Sequence, residues 1–306
     1  MALAALALSA CGGGSGPGST AAQPAASASA PSAPASSPSG GASAPAPAAS
    51  SPTSPPVAGK WQPAVGDTWQ WQLKGTVDTT YNVRVYDIDL FDTPQATITA
   101  LKAAGRVVVC YFSAGSSENW RPDFNQFQAA DMGNALQGWP GERWLDTRSA
   151  NVRRIMLARL DLALSKGCDG VEPDNVDGYT NSPGFALDAT TQLDYNRFIA
   201  REARARGLRV GLKNDTAQVA DLQADFDFAV NEQCHEYSTG GTSECAVYAA
   251  FTQAGKPVFN AEYKADYVNN TNGARDALCA SSRAAGLRTL VLPVALDNSF
   301  RFSCDR

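Results

Sequence analysis

Eight short β-rich runs, most of them followed by a helical stretch, constrain this chain more than any other feature. They are TWQWQL (68–73), VRVYDIDLF (83–91), RVVVCYFS (106–113), GVEPDN (170–175), RVGLKN (209–214), DFAVNEQ (227–233), PVFNAEY (257–263) and RTLVLPV (288–294). A further run, RWLDTR (143–148), reads as an accessory strand before the fourth. Between them, residues 149–167 carry a Ser cap, apolar residues at helical spacing and a closing Gly, and residues 192–207 and 274–286 repeat the design. Near-continuous apolar strands alternating with helices predict a parallel sheet covered by helices. Eight such units in about 250 residues suit a (β/α)8 barrel of the TIM type. The alternative, an open doubly wound sheet, lacks its usual mark, because no Gly-rich phosphate loop follows any strand.

The strands share a second property. Their ends carry Asp87 and Asp89, Tyr111 and Ser113, Glu172 and Asp174, Lys213 and Asn214, Asn231 and Glu232, and Glu262 and Tyr263. In a barrel, carboxyl ends converge on the one face where active sites are built. A single such residue would be an ordinary surface acid, but so many in one register point to a site.

The chain of 306 residues has no Asp, Glu, Lys, Arg or His before Lys60. Residues 12–59 are almost wholly Ala, Ser, Pro, Gly and Thr, too poor in large apolar groups to offset ordering entropy, and are expected to form a disordered linker. Residues 60–306 are then the folded unit. Before the linker, ALALSAC ends in Leu8-Ser9-Ala10-Cys11 and resembles the lipobox of bacterial lipoproteins, so residues 1–11 read as a signal remnant whose Cys11 takes a lipid. The missing basic n-region places the expected start upstream of Met1. No other segment is apolar enough to span a bilayer. The expectation is an exported bacterial protein, anchored to the envelope through Cys11 or secreted.

Six further cysteines, Cys110, Cys168, Cys234, Cys245, Cys279 and Cys304, suit an exported domain and allow 15 pairings. Cys234 with Cys245 would staple one loop, and Cys279 with Cys304 would tie the tail to the last helix. Cys110 and Cys168 remain, either as a third pair or as buried thiols.

Net charge of −5 argues against nucleic acid and permits a cationic or neutral ligand. His235 is the single histidine and no GxSxG elbow occurs, which disfavours Ser/His catalysis and a Cys/His zinc site. EPDNVDG fits a calcium loop poorly, since Val176 stands at a ligand position, and no metal or cofactor is expected. A carboxylate pair remains. Glycosidic cleavage needs one acid to protonate the leaving oxygen and one carboxylate to attack the sugar or activate water. Trp69, Trp71, Tyr86, Tyr111, Phe112, Tyr237 and Tyr263 lie near the same strand ends, about half of them expected to stack on sugar and half to pack in the core.

Together WQWQL, VYDIDLFD, CYFSAGSSENWRPD, RWLDTRS, GCDGVEPDNVDGY, GLKND and NEQC resemble glycoside hydrolase family 114, the endo-α-1,4-polygalactosaminidases, in order across residues 61–296. The resemblance implies a retaining (β/α)8 hydrolase of galactosamine-containing α-1,4 glycans, with the catalytic pair on Asp174 as nucleophile and Glu232 as acid/base. Those residues end the fourth and sixth strands, which face each other across a barrel mouth. Expected substrate contacts are Asp87, Asp89, Tyr111, Glu172, Asn175, Lys213, Asn231, Glu262, Tyr263 and Trp71, with Glu172 also read as a buried partner of Lys213. Asp146, Asp177 and Glu236 add to an acidic mouth that would draw in an amino-sugar polycation. The competing readings are a glycosidase of another α-linked glycan and a sugar-binding barrel without turnover. A monomer is expected.

Overall fold

The computed structural model describes residues 61–239 and 242–305, so the signal remnant (1–11) and the linker (12–59) lie outside the described residues. The eight expected strands are all present: β1 (Trp69–Gln72), β2 (Val85–Asp89), β3 (Val107–Ser113), β4 (Gly170–Asp174), β5 (Arg209–Lys213), β6 (Phe228–Glu232), β7 (Val258–Glu262) and β8 (Arg288–Val291). They pair in parallel in chain order, and a ninth short strand, β9 (Phe302–Ser303), returns antiparallel on β8. The sheet curls into a (β/α)8-type barrel.

Strand parity divides the apolar residues into two layers. Trp69, Trp71, Val85, Val107, Val109, Phe228, Val230, Phe259, Ala261 and Leu290 fill the lumen. Their chain neighbours Tyr86, Ile88, Val108, Cys110, Phe112, Val171, Val210, Leu212 and Ala229 pack outward under the helices. On β5 the inward position below Lys213 is Gly211, where an added Cβ would sit 2.3 Å from Phe228 Cε2. The missing side chain lets that ring cross the lumen.

Helices follow most strands, but β1 runs to β2 through a loop and β8 is followed by β9. Helix α1 (Gln95–Ala103) follows β2. Helix α2 (Ala150–Lys166) begins at Ser149, whose hydroxyl accepts from Asn151 N and Val152 N, and ends at Gly167 with φ 81°. Helix α3 (Ala189–Ala205) starts three residues before the expected position, because Asp188 and Thr191 form a capping box. Short α4 (Val219–Leu222) and α5 (Ala249–Gln253) follow β5 and β6, and α6 (Ala265–Asn269) with α7 (Ala274–Ala284) follows β7. Between β3 and α2 the chain inserts a three-stranded antiparallel sheet of Ser116–Glu118, Met132–Ala135 and Glu142–Leu145, the last being the accessory strand in the middle.

Among the described residues no ladder joins β1 back to β8. The seam is closed instead by Trp69 Nε1 donating to Arg288 O at 2.8 Å, and by Leu73 N and Lys74 N donating to Leu296 O. Arg301 Nη2 adds a bond to Trp69 O at 2.8 Å. Three disulfides, Cys110–Cys168, Cys234–Cys245 and Cys279–Cys304, bring the thiols together in the pairing that chain spacing favoured. Cys110 and Cys168 are therefore bonded, not free thiols.

Candidate active site

Lys213 is the centre of the carboxyl-end face. Its Nζ lies 3.0 Å from Asp174 Oδ1, 3.1 Å from Glu232 Oε2 and 3.4 Å from Glu172 Oε1. Burial alone would lower its pKa, but Asp174, Glu232 and Glu172 together hold the ammonium well above its ordinary value. Trp71 lies beneath, with Nζ 5.0 Å from its ring centroid and its indole N–H donating to Glu172 Oε2 at 3.1 Å. The chain thus places one buried cation where the inward positions of β4, β5 and β6 meet.

Asp174 and Glu232 are the carboxylates of this group that reach solvent, with side chains 18% and 29% exposed. Asp174 Oδ1 also accepts from Asn175 N at 2.7 Å, and Oδ2 from Tyr111 OH at 3.1 Å. Glu232 Oε1 accepts from Tyr263 OH, and Oε2 from Asn214 Nδ2 at 3.4 Å. Burial pushes both tyrosines' pKa well up, next to Asp174 for Tyr111 and to Glu232 for Tyr263, so their hydroxyls stay donors. The strands stop abruptly here. Asn175, Asn214, Asp215 and Gln233, just past β4, β5 and β6, all take positive φ of 46° to 62°. Asn and Asp tolerate this region, whereas Gln233 is an uncommon occupant of the kind found at functional sites. Backbone N–H groups of Ala114 and Gly115 donate to Asp174 O, and a Cβ on Gly115 would stand 1.7 Å from Asn175 O. Only glycine permits that approach, which clamps the end of β4.

Below this layer the expected substrate contacts divide. Asp87 and Glu172 are both fully buried, and each shifts the other's titration. Neither Asp87 oxygen meets a hydrogen-bond donor, which favours the protonated acid at this depth. Burial, with Asp87 opposite, raises Glu172 well above the usual carboxylate range, and burial pushes Asp87 up to about 7. Asp89 was expected to face substrate and is instead closed in by Arg121, at 2.6 Å, and by Phe91 N and Asp92 N. Arg121 also holds Glu118 at 2.8 Å, so Asp89 anchors the insertion after β3.

Parity removes two more. On β6 and β7 the inward positions are Phe228, Val230 and Glu232 and then Phe259 and Ala261, so Asn231 and Glu262 point outward. Asn231 bonds Tyr248 and Asn260, while Glu262 accepts from His235 N and Asn260 Nδ2. Trp71 is 1% exposed and offers no ring face to a ligand. Of the expected aromatics, Trp69 also lines the lumen, and Tyr86 and Phe112 pack under helices, which leaves Tyr111, Tyr263 and the exposed Tyr237 near the mouth. Asn175 stays at the rim, bonded through Nδ2 to Ser113 Oγ and Ser116 Oγ. Asp146 is paired with Arg148, and Glu236 with Lys264 at 3.4 Å, so fewer acids face the mouth uncompensated than their number implies. Asp177, half-buried behind Asp174, is pushed up to about 6 by burial and then by that neighbour.

The sequence placed Asn214 among the converging strand ends but gave it no role, although its amide holds Glu232 at both the backbone N–H and the side chain. Its signal was the GLKND run, read as a strand tail and as one of the motifs of the family resemblance. Cys234, His235 and Cys245 gather as possible metal ligands among the described residues, but the two sulfurs are bonded to each other.

Comparisons with known proteins agree with this fold. The chain is 44% identical to Aspergillus fumigatus Ega3, whose crystal structure is a complex with galactosamine, over 81% of this chain and 99% of that one, with a TM-score of 0.74. The glycoside hydrolase domain of PelA from Pseudomonas aeruginosa shares the fold at 14% identity, with a TM-score of 0.57 over 76% of this chain and 96% of that one. An uncharacterized protein of Deinococcus radiodurans is 28% identical over 77% of this chain and 84% of its own length. The model of glycoside-hydrolase family GH114 matches residues 50–306, and the chain belongs to that family.

Proposed function

We propose that this glycoside hydrolase cleaves α-1,4-linked galactosamine polymer internally, by a retaining double displacement on Asp174 and Glu232. One observation carries the reading: two partly exposed carboxylates, on β4 and β6, share one buried ammonium at 3.0 and 3.1 Å. Their nearest oxygens are therefore closer than the two contacts end to end. That agrees with the roughly 5–5.5 Å separation of retaining pairs better than with the ~6.5–9.5 Å of inverting ones. The substrate comes from likeness to Ega3, which was crystallised with galactosamine.

In the first step an Asp174 oxygen bonds to the anomeric carbon as its bond to the leaving oxygen breaks, and Glu232 gives that oxygen its proton. Water then attacks the anomeric carbon, Glu232 takes the proton, and the bond to Asp174 breaks. Tyr111 and Asn175 N keep the Asp174 carboxylate oriented for attack, and Tyr263 and Asn214 do the same for Glu232. Lys213 stabilises the Asp174 carboxylate before attack, and the Glu232 carboxylate once its proton has gone to the leaving oxygen.

Full-length enzyme assayed on defined galactosamine oligomers, with product analysis, tests the reading. Asp174→Asn and Glu232→Gln should each lower kcat/KM at least about a hundredfold with little change in Tm. Azide should partly restore the nucleophile variant and yield a glycosyl azide. Near-wild-type turnover in either variant sinks the assignment, and cleavage of other α-glycans in preference to galactosamine sinks the substrate.

Three disulfides also support an oxidising compartment, in keeping with export and a Cys11 lipid anchor. Expressed from its natural gene, the Cys11→Ser protein should leave the membrane fraction, and retention there would remove the anchor.

A further inference from the structure

We propose that Trp120 and Trp139, on the insertion after β3, form a sugar-binding platform for galactosamine units remote from the scissile bond. The proposal rests on the substrate reading above. Both indoles are conspicuous for their exposure, at 51% and 54%, in a domain whose other four tryptophans are buried. Isolated exposed apolar side chains are ordinary. These two are neither isolated from each other nor carried on loose chain.

Trp120 lies between two fixed residues. Asn119 N donates to Gly141 O at 3.1 Å, and Arg121 is locked to Asp89 and Glu118 at 2.6 and 2.8 Å. The buried Arg121 guanidinium stands 6.0 Å from the Trp120 ring centroid, which occupies the protein side of the indole. Trp139 sits in the turn that joins the strands Met132–Ala135 and Glu142–Leu145. That turn is closed by Trp139 N to Leu136 O at 3.2 Å and Glu142 N to Trp139 O at 3.1 Å. Gly141, with φ 97°, lies in the same turn, and a Cβ there would be 3.0 Å from Trp120 Cζ3. The Trp120 ring therefore leans on the turn that carries Trp139, and the two indoles share one end of the insertion.

This end is tied to the active site. Glu142, next after Gly141, accepts from Ser116 Oγ at 2.6 Å, and Asn175 Nδ2 donates to that same hydroxyl at 3.3 Å. Asn175 in turn holds Asp174 through its backbone N–H. Three hydrogen bonds thus link the nucleophile to the hairpin turn, and the turn spans less than about 7 Å between its ends. A polymer leaving the catalytic centre on the β3 side meets this platform next. The ligand chemistry follows from the rings. An indole face takes the C–H face of a pyranose by stacking, and its quadrupole attracts an ammonium group, both of which a galactosamine unit supplies.

The test compares full-length wild type with Trp120→Ala, Trp139→Ala, the double variant and the Trp→Phe pair on galactosamine oligomers of increasing length. Wild-type kcat/KM should rise with length, and the long-to-short ratio should fall about tenfold in the double variant and recover in the Trp→Phe pair. In a Glu232→Gln background, long oligomers should quench indole fluorescence, and the double Ala change should abolish that response. An unchanged ratio together with retained quenching overturns the platform. So does an equal loss at every length, which marks damage to the catalytic centre, or a change from dimer to monomer in light scattering, which makes the face an interface between copies. If no galactosamine oligomer is cleaved at all, the substrate reading falls, and the fluorescence titration alone still decides the platform.

Discussion

Asp89 shows what a single residue can and cannot disclose from the sequence. Alternation along VYDIDLF puts Asp87 and Asp89 on the same side, and both do share the lumen parity, while Ile88 faces the helices. What decides their roles is the partner above them, and Arg121 lies 32 positions further on, in a motif with no local mark of that contact. Asp89 and Arg121 are both almost wholly buried. Removing one member of a buried pair leaves the other charge uncompensated and costs about 3–5 kcal/mol. Asp89→Ala should therefore lower Tm by several degrees and loosen the insertion, with less effect on the preference between charged and N-acetylated oligomers. A variant with unchanged Tm and altered preference would return Asp89 to the substrate side. Inward parity and a strand end bring Asp174 and Glu232 to Lys213, whereas their choice from among the strand-end acids came from the family resemblance. Asn231 and Glu262 sit one position out of that parity, and their run of polar letters concealed it.

At the scale of elements, all eight strands and the accessory strand were readable because each is a short apolar run bounded by turn residues. Helix α2 was readable from its Ser cap and period, and α3 and α7 from their period and closing Gly. The four-residue α4 and five-residue α5 were not, since segments so short carry no period. The join between elements was partly legible in the cysteines. Cys110–Cys168 closes a loop of 58 positions from the outer face of β3 to the entry of β4, around the insertion and α2. On a chain-entropy estimate such a loop is worth about 4 kcal/mol, against ~3 kcal/mol for the 11-position loop of Cys234–Cys245. Replacing Cys110 and Cys168 together by Ala should thus cost more stability in urea titration than replacing Cys234 and Cys245. The Cys234 pair follows directly on β6 and Glu232, so its loss should act more on kcat. Equal effects of the two pairs on both quantities would deny this division between frame and site.

For the molecule as a whole, buried acids set the response to pH. Burial raises Asp87, Glu142, Asp215 and Glu262 to about 7, and Asp177 to about 6. Carboxyls raised above their unfolded value near 4 bind protons more tightly when folded. Their contribution is complete below about pH 4 and is lost as pH rises through about 6 to 7. Tm should accordingly fall between pH 5 and 8, and Asp87→Asn, which removes one of these raised carboxyls, should flatten the slope. A level profile in wild type would exclude this origin of the pH response, and an unchanged slope in the variant would remove Asp87 from it. The seam carries a consequence of another kind. Trp69 on β1 finds its partner on β8 only 219 positions later, and Gln70 bonds Arg301 further still. A strand made early thus waits for chain made last. During synthesis from the N-terminal side, β1 keeps one edge open until residues 288–301 arrive. The order in which the barrel is delivered therefore leaves an unpaired edge on β1 for most of the chain's length, and a protein lacking residues 288–301 should keep that edge open.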